Sequence, residues 1–329
     1  MICLLGSPVK IVVALFSLAL ALAPAASAQE AAPTMDPGAA LATDLGEVVV
    51  TARRAGAPMW TVERGGAVVI LVGSIEGVPR DHPWRPEALE AATRRSQRIL
   101  YPMEARASAA DVLRLVWRIR TIARLPTGRT VADYVSPEMM ARLERLKADE
   151  RSDRWKTESL VGLSLDLLRD AGRERRTRGA PAVVREAARR ARVSGEPVGL
   201  VRGDELVDNL ITLPPETYLP CLEAAVGAAE AGPAAARQRI DDWSRLRAPE
   251  VLDNPLDQAL NLCWPSGDPE IAPALRTRWS AAVRDALDQP GVTLAVAPLR
   301  VLAEPGGVLD QLEAEGLDPS GPAWRRDQR

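Results

Sequence analysis

One histidine and one phenylalanine occur in this chain of 329 residues. The scarcity of histidine is the more restrictive of the two. Zinc sites draw heavily on imidazole nitrogen, and Ser-His or Cys-His catalysis needs an imidazole beside the nucleophile, so either chemistry would rest on His82 alone. No G-x-S-x-G elbow, Walker loop or G-x-G-x-x-G turn is present, which removes the commonest serine-hydrolase, nucleotide-triphosphate and dinucleotide readings. The single phenylalanine is Phe16, inside the N-terminal apolar run, so Leu, Val, Ala and the eight tryptophans must fill the core. Lysine is scarce too. Beyond Lys10 only Lys147 and Lys156 occur, and the remaining basic residues are arginine, a bias that GC-rich coding explains more simply than phosphate recognition.

No apolar run reaches the roughly 20 residues a membrane-spanning helix needs. The longest, Ile11 to Leu22, follows Lys10 and precedes Ala26-Ser27-Ala28, the layout of a signal peptide with an A-x-A cleavage site. Residues 1–28 are therefore expected to be removed, leaving a periplasmic or secreted chain that starts at Gln29 and has no transmembrane segment. Cys3 lies ahead of the apolar run, so it is not a lipoprotein cysteine. Without Lys10 the chain carries 41 basic and 44 acidic residues, a balance that implies no nucleic-acid or other polyanion partner. Arg114, Arg118, Arg120 and Arg124, with only Trp117 between them, read as a solvated helix face.

Two cysteines, Cys221 and Cys263, remain after cleavage, in a compartment where disulfides form. They are expected to pair, although spacing alone does not bring them together.

Residues 29–56 are expected to form a disordered leader and linker, and 318–329 a disordered tail, around a single domain at 57–317. Short apolar runs at Met59 to Glu63, Ala67 to Val72, Arg98 to Met103, Pro197 to Val201 and Val292 to Ala297 read as strands. Helical patterns alternate with them at Pro86 to Gln97, Ser108 to Ala123 (with Asp111 completing a cap), Pro137 to Leu146 behind Ser136, Glu158 to Asp170, Pro181 to Val193, Thr217 to Ala231, Ala234 to Ser244, Pro255 to Cys263, Ala272 to Asp288 and Gly307 to Glu315. The fold class is α/β, with a mainly parallel central sheet flanked by many helices and a helix-rich middle section. The ends supply most of the sheet, so the first and last thirds should meet around the site.

Three segments carry a resemblance: WTVERGGAVVILVGSIEGVP (Trp60 to Pro79), LPTGRTVADYVSPEMMARLERL (Leu125 to Leu146) and TLAVAPLRVLAEPGGVLDQLEAEG (Thr293 to Gly316). Together they resemble the TraB/GumN family, related to the Tiki metalloproteases. The resemblance implies two Gly-x-x-His motifs that, with a nearby carboxylate, hold a catalytic divalent metal. In this chain the first motif reads Gly73-Ser74-Ile75-Glu76, and Ala297 and Arg300 stand at the second. Glu76 retains oxygen donors for a hard ion, whereas Arg300 is always protonated and repels one. Glu104 falls a residue or two beyond the family's expected glutamate, and Leu200-Val201 replaces a further Leu-Glu.

Other residues are weaker candidates. His82, in Arg80-Asp81-His82-Pro83-Trp84, is more simply a packed or solvated loop side chain than a ligand. Asp204 and Asp208, at i, i+4 spacing, read as a solvated helix start favoured by the dipole. Glu76 and Arg300 are expected to form an ion pair where a metal would otherwise bridge the strand ends. The expected function is that of an exported TraB/GumN-like protein without metallohydrolase activity, acting by binding a peptide or envelope polymer, with no cofactor. The alternative is a metal-dependent peptidase with a site rebuilt from Glu76, Glu104 and His82, the one reading that requires a divalent metal.

Overall fold

The computed structural model describes residues 56–328, apart from 107, 109–112, 114–116, 119–121 and 174–176. The expected signal peptide, nearly all of the expected leader, and most of the helix expected after Ser108 lie outside the described residues. The chain begins with a hairpin, β1 (Met59–Arg64) and β2 (Ala67–Ser74). It turns at Gly65-Gly66, both at positive φ, which a two-residue turn matched to strand twist demands.

Then follow α1 (Glu87–Arg95), β3 (Arg98–Tyr101), β4 (Glu104–Arg106), α2 (Pro137–Leu146), α3 (Leu160–Asp170), α4 (Ala180–Ala191), β5 (Ser194–Pro197), β6 (Leu200–Arg202) and α5 (Gly203–Thr212). The last third holds α6 (Leu219–Ser244), α7 (Ala248–Asp253), α8 (Pro255–Leu262), α9 (Ile271–Leu287), β7 (Gly291–Pro298), α10 (Leu299–Ala303) and α11 (Val308–Ala314).

The main sheet has the order β1-β2-β7-β3-β5, antiparallel only between β1 and β2. This is the expected α/β class with a mainly parallel sheet in a single domain. The first and last thirds meet where β2 pairs with β7 along its whole length. Both strands are almost fully buried, as continuous apolar runs covered on two faces should be.

Two strand expectations need correction. Arg98 to Met103 stops at Tyr101, and Pro197 to Val201 is divided: β5 pairs with β3, whereas β6 pairs with β4 in a separate two-stranded sheet. Pro102 and Pro197 have no N–H to donate to a ladder, so the four short strands bend at the prolines. Single bonds from Val198 N to Tyr101 O and from Glu104 N to Gly199 O carry the chain across the bend.

The helices start where local chemistry directs. Ser136 and Ser159 accept from the N–H groups of Met139 and Gly162 to cap α2 and α3. The two helices expected at 217–231 and 234–244 are both present as the two halves of α6, separated at Gly232, whose φ of 69° and ψ of −173° are not helical, with Pro233 following. Two apolar clusters result. One surrounds the main sheet and includes Trp60, Trp243, Trp279, Leu294 and Leu299; the other lies in the helical section around Leu143, Leu163, Leu222 and Ala259. Cys221 and Cys263 are disulfide-bonded inside the second cluster. Among the described residues no helix is long and apolar enough to cross a membrane.

The tail after Asp318 is also corrected, because its described part packs. Ser320 exchanges backbone hydrogen bonds with Thr61, and Trp60 Nε1 donates to Pro322 O at 2.7 Å. Trp324 is buried and donates to Asp310 Oδ1 at 2.8 Å, and Arg325 clamps the same carboxylate. The tail thereby covers the free edge of β1, which would otherwise present unpaired backbone groups. Burial acts to raise the Asp310 carboxyl, but hydrogen bonds from Trp324 and Gly306 and the Arg325 guanidinium outweigh it and hold the group below its ordinary range.

Two outcomes are expected. Asp310→Asn should lower stability by about 1–3 kcal/mol near neutral pH. A carboxyl depressed in the folded state stabilises above its unfolded value and loses that contribution as pH falls through the folded one, so the gap to wild type should close below about pH 4. Chemical denaturation from about pH 6 down to about pH 2.5 checks this, and a constant gap would contradict it. Replacing both Cys221 and Cys263 with serine should cost roughly 3–4 kcal/mol on the chain-entropy account of a loop this long. Alkylation of the native mature protein without reductant should label no thiol.

Candidate functional site

The register of β2 against β7 places Gly73 directly opposite Ala297. Both motif turns consequently leave the carboxyl edge of the sheet side by side, where open α/β sheets collect ligands. Glycine is required at 73 for packing. A Cβ there would meet Leu299 Cδ1 at 2.6 Å and Trp60 at 3.2 Å. The backbone at this point is also fixed. Gly73 N donates to Pro58 O at 2.8 Å, Gly73 O accepts from the buried Trp243 Nε1 at 2.9 Å, and Ser74 Oγ donates to Ala297 O at 2.8 Å.

Arg300 sits at the second position of α10, directly after β7, and its partner is Asp257 on α8, not Glu76. Arg300 Nη2 and Nε donate to Asp257 Oδ2 at 2.7 and 3.2 Å, and Nη2 also reaches Leu252 O at 2.6 Å. The other carboxylate oxygen is held by Arg239 of α6, whose Nε lies 2.8 Å from Asp257 Oδ1. Arg239 Nη1 donates to the backbone oxygen of Glu76 at 2.7 Å. Arg239 and Asp257 are buried, at 3% and 7% exposure. One carboxylate is thus gripped by two guanidiniums, and one of these also fixes the first motif turn.

The expected Glu76–Arg300 pair is therefore not formed. The Glu76 side chain is 63% exposed and takes Arg173 Nη2 at 3.2 Å. The backbone of residue 76 is tied inward by Arg239 while its carboxylate turns to solvent. Glu76 and Arg300 nevertheless line one cleft of about 370 Å³. A second, wider hollow of about 670 Å³ adjoins it, and Ile75, Glu76, Pro181 and Arg185 line both.

Glu104, at the start of β4, accepts from Arg185 Nη2 at 2.9 Å, and the Arg185 guanidinium lies 5.0 Å from the centre of the Tyr101 ring. Burial raises the Tyr101 hydroxyl above its ordinary value despite Arg185 and Arg189 nearby. His82 lines neither lobe; it is half-buried in the loop after β2, its Nε2 without a hydrogen-bond partner among the described residues. Asp208 is exposed on α5, and the side chain of Asp204 lies outside the described residues.

A divalent cation needs about three protein donors converging on one point. Among the described residues no group of three or more His, Cys, Asp or Glu side chains offers that. At the sheet edge both Asp257 oxygens are already bound to guanidinium groups, and Arg300 stands at the second motif position. This donor set does not fit a divalent ion.

Sequence reasoning missed Arg239 and Asp257. Asp257 stands in the first turn of α8 behind the Asn254 cap, where an acidic residue is favoured by the helix dipole alone. Arg239 is one arginine among many. Its only distinguishing sign is its place between the apolar positions Ala236, Ile240 and Trp243.

Removal of the shared carboxylate should be severe. Asp257→Ala leaves two guanidiniums without their anion, one of them fully enclosed, and should destabilise the protein by roughly 3–5 kcal/mol. Glu76→Gln breaks only an exposed pair and should leave the denaturation midpoint nearly unchanged. Equal losses for the two variants would contradict the geometry described.

No curated protein and no solved structure matches this chain. The model of the TraB/PrgY/gumN family matches residues 58–320, a span that runs from β1 through both motif turns to the Ser320 contact on Thr61. The chain belongs to the TraB/PrgY/gumN family.

Proposed function

We propose that this protein is exported and works by binding a peptide or envelope polymer in the cleft at the carboxyl edge of β2 and β7, without metallohydrolase activity and without a bound metal. The observation that carries the reading is Arg300 locked onto Asp257. A permanent cation occupies the second motif position and consumes the nearest buried carboxylate. A metal-activated water needs the opposite field, a cluster of neutral or anionic donors with one open position. Among the described lining residues Glu76 keeps one carboxylate oxygen uncommitted beside its pair with Arg173, and one exposed carboxylate does not make a site.

The signal-like pattern of residues 1–28 supports export, and the Cys221–Cys263 disulfide supports an oxidising compartment.

The test is metal analysis of the purified mature protein, with peptidase assays supplemented in turn with manganese, cobalt and zinc. Substoichiometric metal and no turnover are expected. Stoichiometric metal with turnover that Glu76→Ala abolishes would establish the hydrolase instead. The mass of the exported product should correspond to a chain starting at Gln29.

A further inference from the structure

Although the chain as a whole is slightly acidic, its cleft is basic. Among the described residues Arg169, Arg173, Arg185, Arg239, Arg276 and Arg300 line the two lobes together with the carboxylates Glu76 and Asp257, and Asp166, Glu104 and Glu304 pair with Arg169, Arg185 and Arg276 from outside the lining. Asp257 is buried beneath its two guanidiniums and Glu76 is paired with Arg173. Several of the arginines keep donors in reserve. Arg185 uses Nη2 alone for Glu104, leaving Nε and Nη1 without a hydrogen-bond partner among the described residues, and Arg300 Nη1 is similarly uncommitted. A guanidinium anchored at one edge is already oriented, so it loses little freedom when an anion arrives at the other. A concave surface lined by one sign of charge also focuses the field and raises the encounter rate with ligands of opposite sign.

The rest of the lining narrows the ligand further. Leu260, Leu275, Leu299 and Val301 stand beside these arginines in the smaller lobe, with Asn261 and Ser266 as neutral polar groups. Among the described residues no aromatic side chain lines either lobe, although sugar rings are usually held against aromatic faces. Each lobe falls within the roughly 300–1,000 Å³ of ligand pockets, and four shared residues join them into a path longer than a single small anion requires.

We propose that the cleft receives an acidic peptide segment, whose carboxylates meet Arg185, Arg276 and Arg300 and whose apolar side chains pack on Leu260, Leu275 and Val301. This rests on the binding reading above and specifies its ligand. Arg239 serves as a positioning residue, holding Asp257 and the Glu76 turn in place.

The experiment uses the purified mature protein and a dye-labelled peptide of about eight residues alternating glutamate and leucine, read by fluorescence anisotropy. Matched peptides carry glutamine or lysine in place of glutamate, and a labelled polyuronate supplies the same carboxylates on a sugar backbone. The glutamate peptide should bind at least roughly tenfold more tightly than any of the three, and its affinity should fall as salt rises. The double variant Arg185→Gln, Arg276→Gln, which leaves the buried Asp257 network intact and removes the pairs to Glu104 and Glu304, should bind it roughly tenfold more weakly while still unfolding in one cooperative transition. Equal affinity for glutamate and glutamine peptides, preference for the polyuronate, full affinity in the double variant, or no binding to the glutamate peptide would each overturn the proposal. Mass spectrometry of the recovered peptide separates the two readings. Cleavage would overturn the non-hydrolytic function and leave the acidic preference standing, whereas binding without charge preference would do the reverse.

Discussion

A carboxylate withdrawn from water must be given back its hydrogen bonds, and in this protein Asp257 receives them from two guanidiniums that come from different parts of the fold. Arg239 lies on α6 where that helix passes from the helical cluster, which holds Ala236, to the sheet cluster, which holds Ile240 and Trp243. Asp257 lies on α8, whose Leu256 and Ala259 belong to the helical cluster, and Arg300 follows the last residue pairs of the sheet. The ionic contact therefore crosses the seam between two apolar clusters that have no described residue in common. Such a buried group is a weak source of net stability compared with apolar packing, because desolvation opposes the attraction. Its contribution is geometric: an apolar seam would tolerate sliding, whereas two forked donors on one carboxylate fix both distance and angle.

The same contact explains how the first motif turn keeps its shape with Glu76 at its end. Arg239 binds the backbone oxygen of residue 76, not its side chain. The turn is positioned independently of what residue 76 carries. Gly73 supplies the other half of the arrangement, through a packing requirement set by Leu299 and Trp60 and a carbonyl held by Trp243. Scaffold and chemistry are thus separable at this edge. The glycine, the tryptophans and the strand register build the cleft, and the residues three positions further along each motif decide what it contains.

That separation also accounts for what could be read in the sequence. The strands around Val69 and Leu294 were legible because continuous apolar runs between turn residues have few alternative homes, and the helix start at Ser136 because a hydroxyl before a helical stretch has a local reason to be there. The bend at Pro102 and Pro197 was missed, because apolar runs were read straight across the prolines and pattern alone does not say which neighbour each half joins. Arg239 and Asp257 were hidden because their significance is entirely tertiary. In a chain whose basic residues are nearly all arginine, nothing local distinguishes the one that is buried. The tail misled for the opposite reason: its Pro, Gly and charged residues have the composition of a disordered end, yet Trp324 and Arg325 find Asp310, and Gly321 fits where a Cβ would stand 2.4 Å from Trp60.

The electrostatic consequence of placing Arg300 at the sheet edge reaches beyond the loss of a donor. A bound cation repels guanidiniums, so a metal centre would disfavour the dense arginine lining seen along Arg173, Arg185, Arg239 and Arg276. With a guanidinium in that place the local field keeps a single sign, and neighbouring arginines can gather if each finds a carboxylate, as Arg185 does in Glu104 and Arg276 in Glu304. Arg185 is bound through Nη2 alone, whereas Arg276 uses Nε and Nη2 for Glu304 and Nη1 for Ala272 O. A guanidinium that holds the walls of the cleft together also disfavours a cation there, and this is the electrostatic basis of the proposal that the cleft takes an acidic peptide, with Leu260 and Val301 beside the arginines as the apolar part of the lining.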